Sequence, residues 1–182
     1  MKQIICFVAL LFTGTSQAAL ILINGGFESG NLSPWYQGNG TPVITSEEAH
    51  TGNFSVIAFG SDLIRQDFSA ILVEDINEVS FWAKRDGGIL NSVKFFYDDG
   101  TTGNTLVSLF DTSDWAFFDV TSFLDAGKYL TGFGVYGTSP GPAYLDDFTI
   151  KANVSSVPEP ASLALLGLGL AGLGYSRRKA KS

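Results

Sequence analysis

Through the middle of the chain, apolar and polar residues alternate with a period of two. Val79-Ser80-Phe81-Trp82-Ala83-Lys84 and Val93-Lys94-Phe95-Phe96-Tyr97 show it most clearly, and this is the spacing of a β-strand with one buried face. Shorter runs rich in β-branched and aromatic residues predict further strands at 20–23, 43–45, 54–59, 63–68, 106–110, 116–120, 130–136 and 144–151. Asp86-Gly87-Gly88, Asp98-Asp99-Gly100, Asp125-Ala126-Gly127 and Pro140-Gly141-Pro142 read as the turns between them. No helical period is sustained between the two ends, where 120–124 makes at most a single short turn. Ten short strands in one domain, residues 19–152, predict an all-β fold: a single antiparallel β-sandwich, most simply a jelly roll.

The two ends follow other rules. Lys2, an apolar stretch over 4–12 and the small residues up to Ala18 predict a secretory signal peptide, residues 1–18, cut after Ala18. Residues 161–175 are apolar, with Pro158-Glu159-Pro160 before them and Arg177, Arg178, Lys179 and Lys181 behind. As a helix this run spans about 22 Å against a hydrocarbon core of about 30 Å, so it predicts a transmembrane helix short enough for transient rather than permanent anchoring. The cations of 176–182 place that end in the cytoplasm. The prolines keep the linker 153–160 extended and accessible.

Removing the ends changes the charge. Lys2 and the four tail cations leave, as does Glu159, so six of the eleven Lys/Arg and seventeen of the eighteen Asp/Glu stay and the sandwich carries −11. That balance argues against nucleic acid as a partner, since phosphate contacts need clustered cations. Cys6, the only cysteine, leaves with the signal peptide, so disulfides cannot stabilise the exported domain. A single histidine, His50, excludes zinc sites of two or more His. It also lacks any nucleophile motif around it. The reading is therefore of a protein without catalytic function.

Pro158-Glu159-Pro160, the short apolar run and the basic end with Arg177 and Arg178 together resemble the PEP-CTERM sorting signal over 157–181. The resemblance implies that these residues are recognised by an exosortase-type membrane processing enzyme. It implies passage through the inner membrane and release to the cell surface or an extracellular polysaccharide matrix.

Asn24-Gly25-Gly26-Phe27-Glu28, His50-Thr51-Gly52-Asn53-Phe54, the strand holding Trp82, Asp114-Trp115 and Tyr144-Leu145-Asp146-Asp147-Phe148 follow one another in an order that resembles jelly-roll carbohydrate-binding modules and galactose-binding-like sandwiches. That resemblance implies a structural calcium ion where the first and last strands meet, held by Glu28, Glu48 and Asp146 or Asp147 with backbone carbonyls near His50. The residues alone equally allow these carboxylates to be strand-end charges that hydrogen-bond neighbouring turns. Alternation places Trp82, Phe96 and Tyr136 outward, so that they can line one face as sugar platforms with Lys84 and Lys94 nearby; packing is the competing role for Trp82. Trp35 and Trp115, beside turns, read as core plugs. The expected function is a surface or matrix protein whose sandwich contacts exopolysaccharide, in a biofilm for example. The alternative is a structural envelope or biofilm component with no glycan ligand.

Overall fold

A computed structural model of the protein describes residues 17–85, 89–90, 92–105, 114–139 and 141–154. The signal peptide up to residue 16, the strand expected at 106–110, the Asp86-Gly87-Gly88 turn, the Pro-Glu-Pro linker, the apolar helix and the basic tail lie outside the described residues. Among the described residues there are thirteen strands: β1 Gln17–Leu20, β2 Tyr36–Asn39, β3 Val43–Thr45, β4 Ser55–Phe59, β5 Leu63–Leu72, β6 Ile76–Arg85 and β7 Ile89–Leu90. They continue with β8 Val93–Tyr97, β9 Thr102–Thr105, β10 Ala116–Asp119, β11 Tyr129–Tyr136, β12 Thr138–Ser139 and β13 Pro142–Val154. Two single 3₁₀ turns, Val73–Asp75 and Thr121–Phe123, complete the set. Among the described residues no helix is long and apolar enough to cross a membrane.

The strands form two sheets. One has eight strands in the order β10-β6-β13-β4-β12-β7, with β1 beside β13 and β3 beside β4. The other has five in the order β2-β5-β11-β8-β9, each neighbouring pair antiparallel. In the larger sheet β4 and β12 meet in parallel through Phe59 and Thr138. The period-two pattern reappears in burial: Val79, Phe81 and Ala83 of β6 and Val93 and Phe95 of β8 are fully buried, as are Phe133 and Val135 of β11.

Inward residues of both sheets meet around Phe148 of β13. Its ring stacks on Phe81 of the larger sheet at 5.4 Å and meets Phe133 of the smaller at 6.0 Å. Trp35 and Phe27 close the cluster from the N-terminal segment, 4.9 and 5.8 Å from Phe148. Trp35 is thus the expected core plug. Trp115 is not: it is only half-buried, and its ring lies 5.6 Å from His50.

A bulge directs Phe148 to this place. Asp146 pairs with Trp82 and Thr149 with Ser80, so Asp147 and Phe148 together oppose Phe81. Asp147 takes φ +48° to accommodate the extra residue. Gly25 lies against the bulge, its carbonyl accepting the Phe148 amide at 2.9 Å. A Cβ on Gly25 would come within 2.1 Å of the Phe148 carbonyl oxygen, so no larger residue fits without moving β13.

Candidate functional site

The outer face of the five-stranded sheet is built in rows. Register aligns Tyr36, Arg65, Gly134, Lys94 and Asn104 across all five strands. Beside them run Asp67, Gly132, Phe96 and Thr102. Because Phe133 and Val135 fill the core, β11, the central strand, turns Gly132 and Gly134 to the outside. The middle of the face is therefore a shallow trough, its two glycines themselves buried because Leu63, Arg65 and Asp67 of β5 lie against them.

Arg65 crosses this trough. Its Nε donates to Asp67 Oδ1 at 2.6 Å, and its guanidinium lies 3.4 Å above the Phe96 ring. The other Asp67 oxygen accepts the Tyr36 hydroxyl at 2.7 Å. Burial and that bond push the Tyr36 pKa up to about 12, so the phenol stays a donor. A Cβ on Gly132 would approach Asp67 Oδ1 to 2.3 Å, which is why the pair can lie flat here only over a glycine. Further along, Lys94 Nζ sits 5.4 Å from the centre of the Tyr136 ring.

Phe96 and Tyr136, both expected as platforms, thus share one face with Lys94. Phe96 is not a bare platform, since one face of its ring already carries Arg65. Trp82 does not join them, because β6 belongs to the other sheet, as does Lys84. Alternation assigns a side of a strand but not which of two sheets the strand enters. The Trp82 ring stacks on His50 at 3.8 Å and 15° and lies 5.4 Å from Phe117, so a loop covers one of its faces. Tyr36, Arg65 and Asp67 belong to the face without having been expected there. Arg65 and Asp67 sit in the predicted strand 63–68, and their i, i+2 spacing, which puts them on one side of it, is the signal that points to them.

The expected calcium ligands fall into two groups. Asp146 is fully buried beneath the β3–β4 connection. Its Oδ2 accepts the amides of His50 and Thr51 at 2.8 and 3.3 Å, and its Oδ1 accepts the Asp147 amide at 2.7 Å. Burial outweighs these bonds and raises its pKa to about 6. Asp147 meets His50 Nδ1 at 2.7 Å and the Thr51 hydroxyl at 2.8 Å. Glu28 accepts the amides of Asn53 and Phe54, each at 2.9 Å, which hold its carboxyl below the ordinary range. Glu48 stands apart, bound to Lys84 Nζ at 2.8 Å, a bond that raises the lysine pKa. As placed, these carboxylates face N–H and O–H donors, and among the described residues no group of three or more His, Cys, Asp or Glu side chains is gathered for a metal. In this arrangement Glu28, Asp146 and Asp147 accept hydrogen bonds from residues 50–54. Beside it a shallow groove of about 210 Å³ runs between Leu20, Leu22, Gly25, Gly26 and β13, lined largely by backbone and apolar side chains.

Solved structures define the class of the fold: it is that of carbohydrate-binding-module sandwiches. TmCBM61, determined in complex with β-1,4-galactotriose, is 20% identical, with a TM-score of 0.55 over 72% of this chain and 97% of that one. The CBM22-1 xylan-binding domain of Paenibacillus barcinonensis Xyn10C is 17% identical, with a TM-score of 0.53 over 78% and 99%. A family 16 carbohydrate-binding module follows at 15% identity and 0.52 over 71% and 98%. Residues 156–179 match the PEP-CTERM protein-sorting motif, which marks the chain for export. No curated protein matches the chain.

Proposed function

We propose that the protein is an exported, non-catalytic component of the cell surface or extracellular matrix that contacts exopolysaccharide through the outer face of its five-stranded sheet. The observation that carries this reading is the glycine-floored trough. The terminal nitrogens of Arg65, held in place by Asp67, and the amide of Asn104 offer donors and an acceptor for hydroxyl groups, and Tyr136 offers an aromatic surface at one end. This mixture of aromatic surface and fixed polar groups is what recognition of a sugar requires. The structures it resembles include a galactotriose complex and a xylan-binding domain, which supports a glycan as the ligand class. The C-terminal motif supports an exosortase-type enzyme as processing partner, with the inner membrane as a transient station.

Affinity electrophoresis of the full chain through gels containing the producing cells' own polysaccharides tests the reading. Retardation is expected, and it should be lost in Tyr136→Ala and Asp67→Ala but kept in Phe117→Ala on the opposite sheet. Unretarded migration in every gel would leave a purely structural envelope component as the better account.

A further inference from the structure

The cations of this acidic domain are unevenly used. Lys84 is bound to Glu48, Lys128 lies near Asp99 and Asp125, Lys151 is bound to Glu78, and Arg85 is buried. Among the described residues Lys94 alone of the cations that are not buried has no ion pair, and Arg65, paired to Asp67 at 2.6 Å, stands with it on the trough. They occupy one cross-strand row on either side of Gly134, two strand spacings or roughly 10 Å apart. Arg65 spends its Nε on Asp67, yet among the described residues its two terminal nitrogens donate to no protein acceptor. Lys94 has no carboxylate within salt-bridge reach among the described residues and rests against Tyr136 instead. Asp67, the acid of this row pair, is committed through both oxygens, to Arg65 and to Tyr36. The trough therefore presents the terminal nitrogens of Arg65 and the Lys94 ammonium, with Asp67 beside them already hydrogen-bonded through both oxygens.

We propose that the ligand of this trough is an acidic polysaccharide, with the anionic group of a sugar unit, a uronate carboxylate or a sulfate ester, held between the Arg65 guanidinium and the Lys94 ammonium. The inference rests on reading the trough as the glycan site. Guanidinium is suited to it, because its planar fork meets two oxygens of one anion at once. The negative charge of the whole domain repels such a chain at a distance. Screening confines that repulsion to about 8 Å at physiological ionic strength, so the local pair decides at contact.

The test measures binding of the full chain to matched acidic and neutral polymers: polygalacturonate, polymannuronate and dextran sulfate against the methyl esters of the first two and against plain dextran. At least one acidic polymer is expected to bind ~10-fold more tightly than its neutral partner, with the margin shrinking between 50 and 500 mM salt. Lys94→Gln should narrow that margin and leave neutral binding within about twofold, whereas Arg65→Gln should narrow it and weaken neutral binding as well. Tighter binding to dextran sulfate alone would identify the anion as sulfate, and to the uronates alone as carboxylate. Equal binding of acidic and neutral partners would overturn the charge inference while the glycan reading stands. Binding to none of the polymers would overturn both. Circular dichroism of each variant separates lost binding from lost folding.

Discussion

Asp146 gives this domain a pH dependence that can be worked out from its surroundings. The carboxyl is sealed under the β3–β4 connection, and burial raises its pKa from 3.8 to about 6. A carboxyl whose pKa is raised by folding favours the folded state when protonated. Its stabilisation is complete below the ordinary value of 3.8 and is lost as the pH rises through about 6. A shift of about two units corresponds to about 3 kcal/mol, of which about 2 kcal/mol falls between pH 4.5 and 7. Glu28 and Glu78 act oppositely, since their pKa values are lowered. Their contribution is lost only as the pH falls below the ordinary carboxylate range, outside this window. Urea unfolding followed by tryptophan fluorescence, at steps from pH 4.5 to 7.5 in the presence of a chelator, should show the unfolding free energy of the native chain falling relative to Asp146→Asn. Parallel curves for the two proteins would refute the reasoning, because every other titrating group is shared.

Three further outcomes are expected. Gly132→Ala drives a methyl group into Asp67 and should weaken glycan binding ~10-fold by lifting Arg65 from Phe96, as read by affinity electrophoresis; unchanged retardation would contradict the role given to that glycine. Phe148→Ala empties the contact between the sheets and should cost about 3–5 kcal/mol in urea unfolding, whereas a loss below about 1 kcal/mol would mean that the core does not centre on this ring. Adding calcium to chelated protein should leave the thermal midpoint unchanged, because the carboxylates of the junction already face N–H and O–H donors; a rise would show that these side chains rearrange around the ion.

Strands whose residues alternate strongly are legible in the amino-acid sequence itself. Residues 43–45 and 93–97 match β3 and β8, and the Asp98-Asp99-Gly100 turn closes β8 onto β9 with Gly100 at φ +79°. The edge strands β2, Tyr-Gln-Gly-Asn, and β9, Thr-Gly-Asn-Thr, are not. They carry almost no apolar pattern and are strands because β5 and β8 offer them backbone partners, a tertiary effect that local preference cannot report. The site is half legible for the same reason. Periodicity turns Phe96, Tyr136 and Lys94 outward, and they do share a face. Trp82 satisfies the same rule but lies on the other sheet, under His50. Glu48, close in sequence to the junction, is drawn to Lys84 by a pairing that spacing does not reveal. The trough itself depends on Gly132 and Gly134, and a glycine in a strand signals close approach without saying of what.

Contact between glycan and the five-stranded face is the central claim, and amide chemical shifts of the ¹⁵N-labelled chain test it most directly. On titration with an oligosaccharide fragment of the producing cells' polysaccharide, shift changes are expected to concentrate at Tyr36, Arg65, Phe96, Gly132, Gly134 and Tyr136. Changes centred instead on Trp82, Phe117 and the His50 loop would contradict it.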